Sequence, residues 1–215
     1  MPFQPRRLLP AATLLLVAVP ILAAPPQLRD VTPRGVTIGE RVTLRLVGAH
    51  LQGEPRLISQ LPISDAKVES STANEFRISF ATPADANAGI YALRLATSEG
   101  ISEPILIGAD QLPQQMITAN GEVALPVALT GALTGSTIRE IPFGGNKGQR
   151  VVVDIEAQRL AGKLNPVLRL IDERGTQIAW SGGESHILGD ARLETVLPAD
   201  GKYRVRVHDK LYRGA

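Results

Sequence analysis

The sequence predicts an all-β protein built from two antiparallel β-sandwich domains in tandem, behind an N-terminal export signal. Three observations support this fold class. Apolar and polar residues alternate in short segments, which is typical of strands with one buried face. The 20 glycines and 16 prolines supply turns between these segments, and long stretches with the period of an amphipathic helix are missing. Hydrophobic residues make up 44% of the chain, which is enough to fill cores.

Residues 1–24 have the composition of a secretory signal peptide. Arg6 and Arg7 precede an apolar run that begins at Leu8, and small residues follow the run. The run contains prolines and is shorter than the roughly 20 residues that cross a bilayer. We therefore expect cleavage near Ala24 and no membrane span after cleavage.

The charge balance and the missing cysteines exclude several classes of function. The 23 basic residues outnumber the 21 acidic residues by two, and Arg6 and Arg7 lie in the predicted signal. The chain after cleavage then has no net charge, so it lacks the basic surface that nucleic-acid binding needs. With no cysteine there is no disulfide, thiolate nucleophile or lipidated N-terminal cysteine. We expect a bacterial protein that is secreted, periplasmic or on the cell surface.

The first predicted domain covers residues 25–108. Three segments in it alternate strictly, so each should form a strand with one buried face. The inward faces are formed by Val42, Leu44 and Leu46, by Phe76, Ile78 and Phe80, and by Tyr91, Leu93 and Leu95. Residues 109–122 break the alternation and are polar, which predicts an interdomain linker or a long loop.

The second predicted domain covers residues 123–215 and contains two predicted hairpins. The first has its turn at residues 172–175, and the second has its turn at residues 198–201. The alternating inward residues are Val151, Val153 and Ile155 in one strand, and Tyr203, Val205 and Val207 in another. A segment near residues 157–164 is either a short helix or a loop.

Several motifs in series resemble a known family over residues 123–214. The segments "NKGQRVVVDIEAQRL", "LNPVLRLIDERGTQIAW" and "LPADGKYRVRVHDKLYRG" are similar to the bacterial pre-peptidase C-terminal (PPC) domain. Residues 27–108, with "VTPRGVTIGERVTLRLVGAHLQG", resemble an immunoglobulin-like module of the IPT/TIG type. The resemblance implies an Ig-like sandwich followed by a jelly-roll-like one, with an accessory role. The PPC family has a further strand after the last loop, so we expect the second domain to be incomplete.

Three carboxylates are the candidate metal ligands. Asp190, Asp200 and Asp209 lie at predicted strand ends, where loop oxygens could converge on calcium. The alternative is structural, because Asp200 suits a turn beside Gly201 and Asp209 suits the end of its strand. Most of the carboxylates found at other positions of the PPC family are missing here, which argues against calcium. No other cofactor is expected.

The sequence does not predict a catalytic site. Ser181, Ser185 and His186 lie together in the Gly-rich segment "WSGGESH", but composition alone suggests this grouping and a solvated loop explains it. No nucleophile-elbow motif is present. We expect no enzyme activity within these residues.

Aromatic and basic side chains of the second domain are the candidate binding residues. Trp180 and Tyr212 belong either to a sugar- or peptide-binding surface or to the core. A basic face could meet an acidic polymer or could simply be solvated and offset by acids such as Glu194. The residues of this predicted face are Arg204, Arg206, His208 and Arg192.

The function predicted from the sequence is that of exported, non-catalytic binding or accessory modules of a larger secreted or cell-surface protein. The partner would be an extracellular protein or a polysaccharide surface, and not a nucleic acid. Two alternatives are the N-terminal part of a secreted peptidase or other hydrolase with its catalytic domain outside this chain, and a cell-surface adhesion protein.

Overall fold

A computed structural model describes residues 24–118 and 121–214. The predicted signal peptide lies outside these residues, apart from Ala24. The described residues form 17 β-strands and one turn of 3-10 helix at Ser185–Ile187, so the prediction of an all-β sandwich fold is confirmed. None of the helical structure in the described ranges is long and apolar enough to cross a membrane.

The first half of the chain forms two packed sheets from nine strands. The strands are β1 (Gln27–Thr32), β2 (Gly35–Thr37), β3 (Arg41–Ala49), β4 (Arg56–Ser59), β5 (Ser64–Ser71), β6 (Glu75–Ala81), β7 (Gly89–Thr97), β8 (Gly100–Ile101) and β9 (Ile105–Asp110). One sheet has the order β1-β3-β6-β5, and the other has the order β2-β9-β7-β4 with β8 added to β7. All pairs are antiparallel except β2 with β9.

The core of this sandwich lies between the inward faces that the alternation predicts. Leu44 and Leu46 of β3, Phe76 and Phe80 of β6 and Leu93 of β7 are fully buried. Each such side chain stabilises the fold by about 1.5–3 kcal/mol relative to an exposed one. The register confirms the predicted faces, because Leu44 lies opposite Ile78 and Leu46 lies opposite Phe76.

The remaining strands form a second sandwich and the connection to it. They are β10 (Gln114–Met116), β11 (Ala128–Thr130), β12 (Arg139–Gly145), β13 (Arg150–Asp154), β14 (Pro166–Asp172), β15 (Gln177–Ser181), β16 (Arg192–Val196) and β17 (Gly201–Asp209). A four-stranded sheet has the order β12-β17-β14-β15, and β13 pairs with β16. Between them lies a separate cluster of buried residues that includes Phe143, Leu168, Leu170, Leu193 and Tyr203.

One predicted hairpin is confirmed and the other is wrong. Strands β14 and β15 pair antiparallel around the turn at residues 172–175. Strands β16 and β17 follow each other closely, but β16 pairs with β13 and β17 pairs with β12 and β14. The turn at residues 198–201 therefore carries the chain from one sheet to the other. Residues 157–164 contain no helix, so the loop alternative is confirmed there.

The segment predicted as a linker contains a strand. Strand β10 pairs in parallel with β11, so the connection forms part of a small sheet. The Arg34 backbone N–H donates to Thr130 Oγ1 at 3.3 Å, which ties the first sandwich to β11. A Cβ atom built at Gly108 would lie 2.9 Å from Glu156 Oε2, so the two sandwiches also approach closely there. The exact boundaries at residues 108 and 123 stay a prediction.

Candidate functional site

Four side chains form a row across the outer face of the β12-β17-β14-β15 sheet. Glu140 of β12 lies opposite Arg206 of β17, Arg206 lies opposite Arg169 of β14, and Arg169 lies opposite Trp180 of β15. Side chains directly opposite each other on antiparallel strands have Cβ atoms about 4.5–5.5 Å apart. We call these four residues, together with Tyr212, the tryptophan face.

Trp180 points into solvent from the edge strand of this sheet. Its neighbours Ala179 and Ser181 lie opposite Leu170 and Leu168, which are fully buried, so alternation places Trp180 outward. The side chain is 65% exposed. A Cβ atom at Gly182 would lie 3.6 Å from the indole ring, so the ring leans along the strand over Gly182. The alternative prediction of a buried core tryptophan is wrong.

The charges on the tryptophan face are unevenly paired. Glu140 accepts hydrogen bonds from Arg204 Nη1 at 3.1 Å and from Arg206 Nε at 2.5 Å. One carboxylate thus serves two guanidinium groups. Arg169 is exposed and forms no ion pair with any residue in the described ranges. The middle of the row therefore carries a guanidinium group whose charge is not balanced by a neighbouring carboxylate.

A second aromatic ring lies at one end of the same face. Tyr212 stacks on His208 with ring centroids 4.9 Å apart and an interplanar angle of 5°. The stacking buries His208, whose Nδ1 lies 3.0 Å from the Asp209 carbonyl oxygen, while Tyr212 stays half exposed. His208 belongs to β17, two strands away from Trp180, so the two aromatic positions are separated by about 10 Å across the sheet.

The predicted basic face is correct for β17 and wrong for Arg192. Arg204 and Arg206 lie on the outer face as expected, but His208 is covered by Tyr212. Arg192 lies on β16 in the other sheet, where Nη1 donates to Asp154 Oδ2 at 3.0 Å. Glu194 is likewise on the other sheet and binds Arg150. The prediction failed because it treated β16 and β17 as partners.

Asp190 is fully buried and holds the loop after β13. Its Oδ1 accepts the backbone N–H groups of Ala157 and Gln158 at 3.0 and 2.7 Å. Its Oδ2 accepts the backbone N–H and Nε of Arg159 at 3.1 and 2.9 Å. Four donors therefore surround the carboxylate, and no exposed oxygen remains for a metal ion.

Asp200 and Asp209 lie at opposite ends of β17. Asp200 is exposed and accepts the Lys147 backbone N–H at 2.7 Å. Asp209 is buried and accepts the backbone N–H of Asn165 at 2.9 Å, and those of Leu211 and Arg213. These hydrogen bonds, that of Asn165 first, hold the pKa of the Asp209 carboxyl below its ordinary value. As the structural alternative predicted, the Asp209 carboxylate binds backbone groups at the end of its strand.

The three aspartates do not fit one calcium ion. Asp200 directly precedes the nine-residue strand β17 and Asp209 is the last residue of that strand, whereas calcium ligands lie 2.3–2.6 Å from the ion. Within residues 24–118 and 121–214, no group of three or more His, Asp or Glu side chains is arranged to hold a metal. Calcium binding at Asp200 or at Asp209 alone stays a prediction.

Ser181 and His186 of "WSGGESH" both contact the carboxylate of Glu184. Ser181 Oγ donates to Glu184 Oε1 at 2.8 Å, and His186 Nε2 lies 3.4 Å from Glu184 Oε2. Catalysis by a serine needs the hydroxyl hydrogen-bonded to a base that removes its proton, with the base held by a third group. Here Glu184 separates Ser181 from His186, and His186 is 69% exposed at its side chain.

Arg159 and several acidic side chains form a charged cluster at the junction of the sandwiches, and their interactions shift pKa values there. Arg159 binds Asp190 and Asp154, and Nη1 lies 3.7 Å from Glu156 Oε1. Burial raises the pKa of Glu156; the charge of Arg159 opposes this rise, and Asp154, Asp110 and Asp190 add to it. Burial lowers the pKa of Arg159, but its hydrogen bonds to Asp190 and Asp154 outweigh that effect. Arg159 thus neutralises part of the negative charge of the acidic side chains at the junction of the two sandwiches.

Of the tryptophan face, the sequence identified Arg206, Trp180 and Tyr212 but missed Arg169 and Glu140. Alternation in "PVLRLID" places Arg169 outward, which was a usable signal. Its position opposite Trp180 depends on the register of the β14–β15 hairpin, which contains an irregularity after Leu170. The Glu140 partnership depends on pairing between strands far apart in the chain.

Comparisons with known proteins give fold-level likeness only. No protein-family model matches the chain, and no curated protein matches it significantly. Among solved structures, Bacteroides ovatus mixed-linkage glucan utilization locus SGBP-B, solved with a mixed-linkage heptasaccharide, is 16% identical with a TM-score of 0.34. The match covers 88% of this chain and 42% of that one.

Two further structures show similar levels of likeness. The gamma-CGTase of alkalophilic Bacillus clarkii is 12% identical with a TM-score of 0.31, over 92% of this chain and 25% of that one. The Yersinia pseudotuberculosis adhesin InvE is 10% identical with a TM-score of 0.31, over 88% of this chain and 56% of that one. The chain thus spans less than two thirds of each of these proteins, and likeness at this level does not constrain its function.

Proposed function

We propose that this chain is an exported, non-catalytic binding protein, and that the tryptophan face is its ligand-binding surface. The observation that carries the proposal is the 65% exposure of Trp180. Exposing a large aromatic side chain loses the free energy of burying it, and tryptophan and arginine are enriched where proteins bind their partners. The export signal, and with it a secreted, periplasmic or cell-surface location, belongs to the same proposal.

The resemblance to PPC and IPT/TIG modules supports this function and belongs to the same proposal. The three motif segments of residues 123–214 favour a PPC-type domain, and residues 27–108 favour an IPT/TIG-type module. Such modules have accessory roles next to other domains. A catalytic domain outside this chain, or an adhesion role, would be compatible with the same binding surface.

The binding proposal is tested with a panel of insoluble and soluble polysaccharides and extracellular protein matrices. The chain without its predicted signal peptide is compared with Trp180→Ala in pull-down and affinity electrophoresis. Val196→Ala is the matched control, because Val196 is 58% exposed but lies on the other sheet. We expect Trp180→Ala to abolish retention and Val196→Ala to preserve it. Equal retention of all three proteins would refute the proposal.

A further inference from the structure

We propose that the ligand of the tryptophan face is an anionic polysaccharide, bound with one sugar ring on Trp180 and its acidic group on Arg169. This inference rests on the proposed function and names its ligand class. Three features of the face carry it: the unbalanced charge of Arg169, the position of that charge beside the indole, and the second ring at Tyr212.

The charge balance of the face favours an anion. Glu140 accepts hydrogen bonds from Arg204 and Arg206, and Glu122 lies 3.3 Å from the Lys202 ammonium group. These two carboxylates are thus paired with cations of β17. Arg169 is the remaining cation, and its guanidinium group offers a planar set of donors that fits a carboxylate or a sulfate.

The position of Arg169 links the charge to the aromatic ring. Arg169 and Trp180 are directly opposite on neighbouring strands. The C–H face of a pyranose ring stacks on an aromatic ring, and the indole here lies over Gly182 with its outer side open. A carboxylate or sulfate on a sugar stacked in this position comes within reach of the guanidinium group.

The second aromatic ring favours a chain over a single sugar. Tyr212 is half exposed and is held in place by its stacking on His208. His208, its stacking partner, lies two strands from Trp180, about 10 Å across the sheet, so one extended ligand can contact both rings. Binding of single-stranded nucleic acid also uses aromatic stacking, but it depends on neutralising many phosphates. One unbalanced guanidinium group suits a ligand that is held through one acidic group and through the stacking of its sugar rings.

The chain contains a single tryptophan, so its fluorescence reports on this site alone. The experiment titrates the chain without its predicted signal peptide with a polyuronate, a sulfated glycan, a neutral polysaccharide, polyglutamate and a single-stranded oligonucleotide. Protection of Trp180 from iodide quenching is the readout. We expect saturable protection by the polyuronate or the sulfated glycan, which shows which of the two acidic groups is preferred.

Arg169→Gln keeps the tryptophan and removes the charge. We expect it to weaken binding of the anionic glycan about tenfold or more, since hydrogen bonds to charged groups contribute about 1.5–3 kcal/mol. Arg150→Gln is the matched control, because it removes the same charge from the other sheet, and it should change affinity less than twofold. Binding should also weaken with added salt.

The results separate this inference from the function on which it rests. If neutral polysaccharide protects Trp180 as well as an anionic one, or if Arg169→Gln binds normally, the anionic ligand is wrong and the binding face stands. If polyglutamate or the oligonucleotide binds as tightly as the anionic glycan, the polysaccharide is wrong. If no ligand of either panel depends on Trp180, both proposals fail.

Discussion

Asp190→Asn tests whether one buried carboxylate holds the second sandwich together at the loop after β13. The carboxylate is 0% exposed and accepts four hydrogen bonds, three from backbone N–H groups and one from Arg159 Nε. The asparagine side chain has nearly the same shape. It replaces one accepting oxygen with an NH2 group and removes the negative charge.

The expected magnitude follows from the groups left without partners. If the amide oxygen keeps the position of Oδ1, the NH2 group faces the N–H and Nε of Arg159, so donors meet donors. Leaving a buried donor unsatisfied costs about 1–3 kcal/mol. Removing one partner of a buried ion pair costs about 3–5 kcal/mol. We therefore expect a loss of about 3–5 kcal/mol, a large part of the 5–15 kcal/mol typical of a domain.

The assay is urea denaturation followed by far-ultraviolet circular dichroism, with hydrogen exchange of residues 155–162 as a local measure. Asp200→Asn is the matched control, because Asp200 is exposed and accepts a single backbone hydrogen bond from Lys147. It should cost at most about 1 kcal/mol. An equal loss in the two variants, or unchanged exchange of the loop in Asp190→Asn, would refute the structural role of Asp190.

Three further predictions concern stability. The folded-state pKa of Glu156 is raised by burial, so the free energy of unfolding should increase as pH falls through that pKa towards the unfolded value of about 4.3. In Glu156→Gln, the urea midpoint should lose the part of its pH dependence between pH 7 and 4 that comes from this carboxyl. Parallel pH profiles of the two proteins would contradict this prediction. A Cβ at Gly48 would overlap the Gln27 carbonyl oxygen, so Gly48→Ala should cost about 1–3 kcal/mol. Gly89→Ala is its control, since the nearest atom there is 3.9 Å away, and equal melting temperatures of the two would be inconsistent with the overlap. Phe143→Ala should cost about 3–5 kcal/mol in urea denaturation because the ring is buried; a loss below 1 kcal/mol would show that the core closes around the cavity.

Local alternation predicted strands and their faces because it depends on neighbouring residues only. Leu44, Phe76 and Tyr203, each from one predicted inward face, are buried as expected. Pairing between distant strands could not be predicted in the same way. Strands β16 and β17 are joined by a short turn that would suit a hairpin, and nothing in their composition distinguishes a hairpin from a crossing between the two sheets. Because of this error, the sequence analysis placed Arg192 on the same face as Arg204 and Arg206.

The structure of the interdomain connection also could not be predicted from local sequence. A polar segment with Pro113 and Gly121 has the composition of a linker, and composition does not reveal which backbone groups find partners. In the structure, Thr37 Oγ1 donates to the Leu112 carbonyl oxygen at 3.0 Å and the Ala128 backbone N–H donates to the Pro113 carbonyl oxygen at 3.0 Å. These hydrogen bonds join the connection to Thr37 of the first sandwich and to β11, 75 and 15 residues away in the chain, so no local pattern encodes them.

The hydrophobicity of Trp180 would favour a buried position, but its position in β15 places the side chain on the outer face of the sheet. Burial of a tryptophan would bring more apolar contact than any other side chain, yet the inward positions of β15 hold Ala179 and Ser181. Ser181 donates its hydrogen bond to Glu184 in the loop that leads to the opposite sheet, so the edge of the sandwich closes on small residues. The core is therefore filled without the indole, and the ring is exposed directly opposite Arg169. Under the proposed function the exposed ring contacts the ligand, and its position opposite Arg169 is set by the register of one hairpin, which the composition of the chain does not reveal.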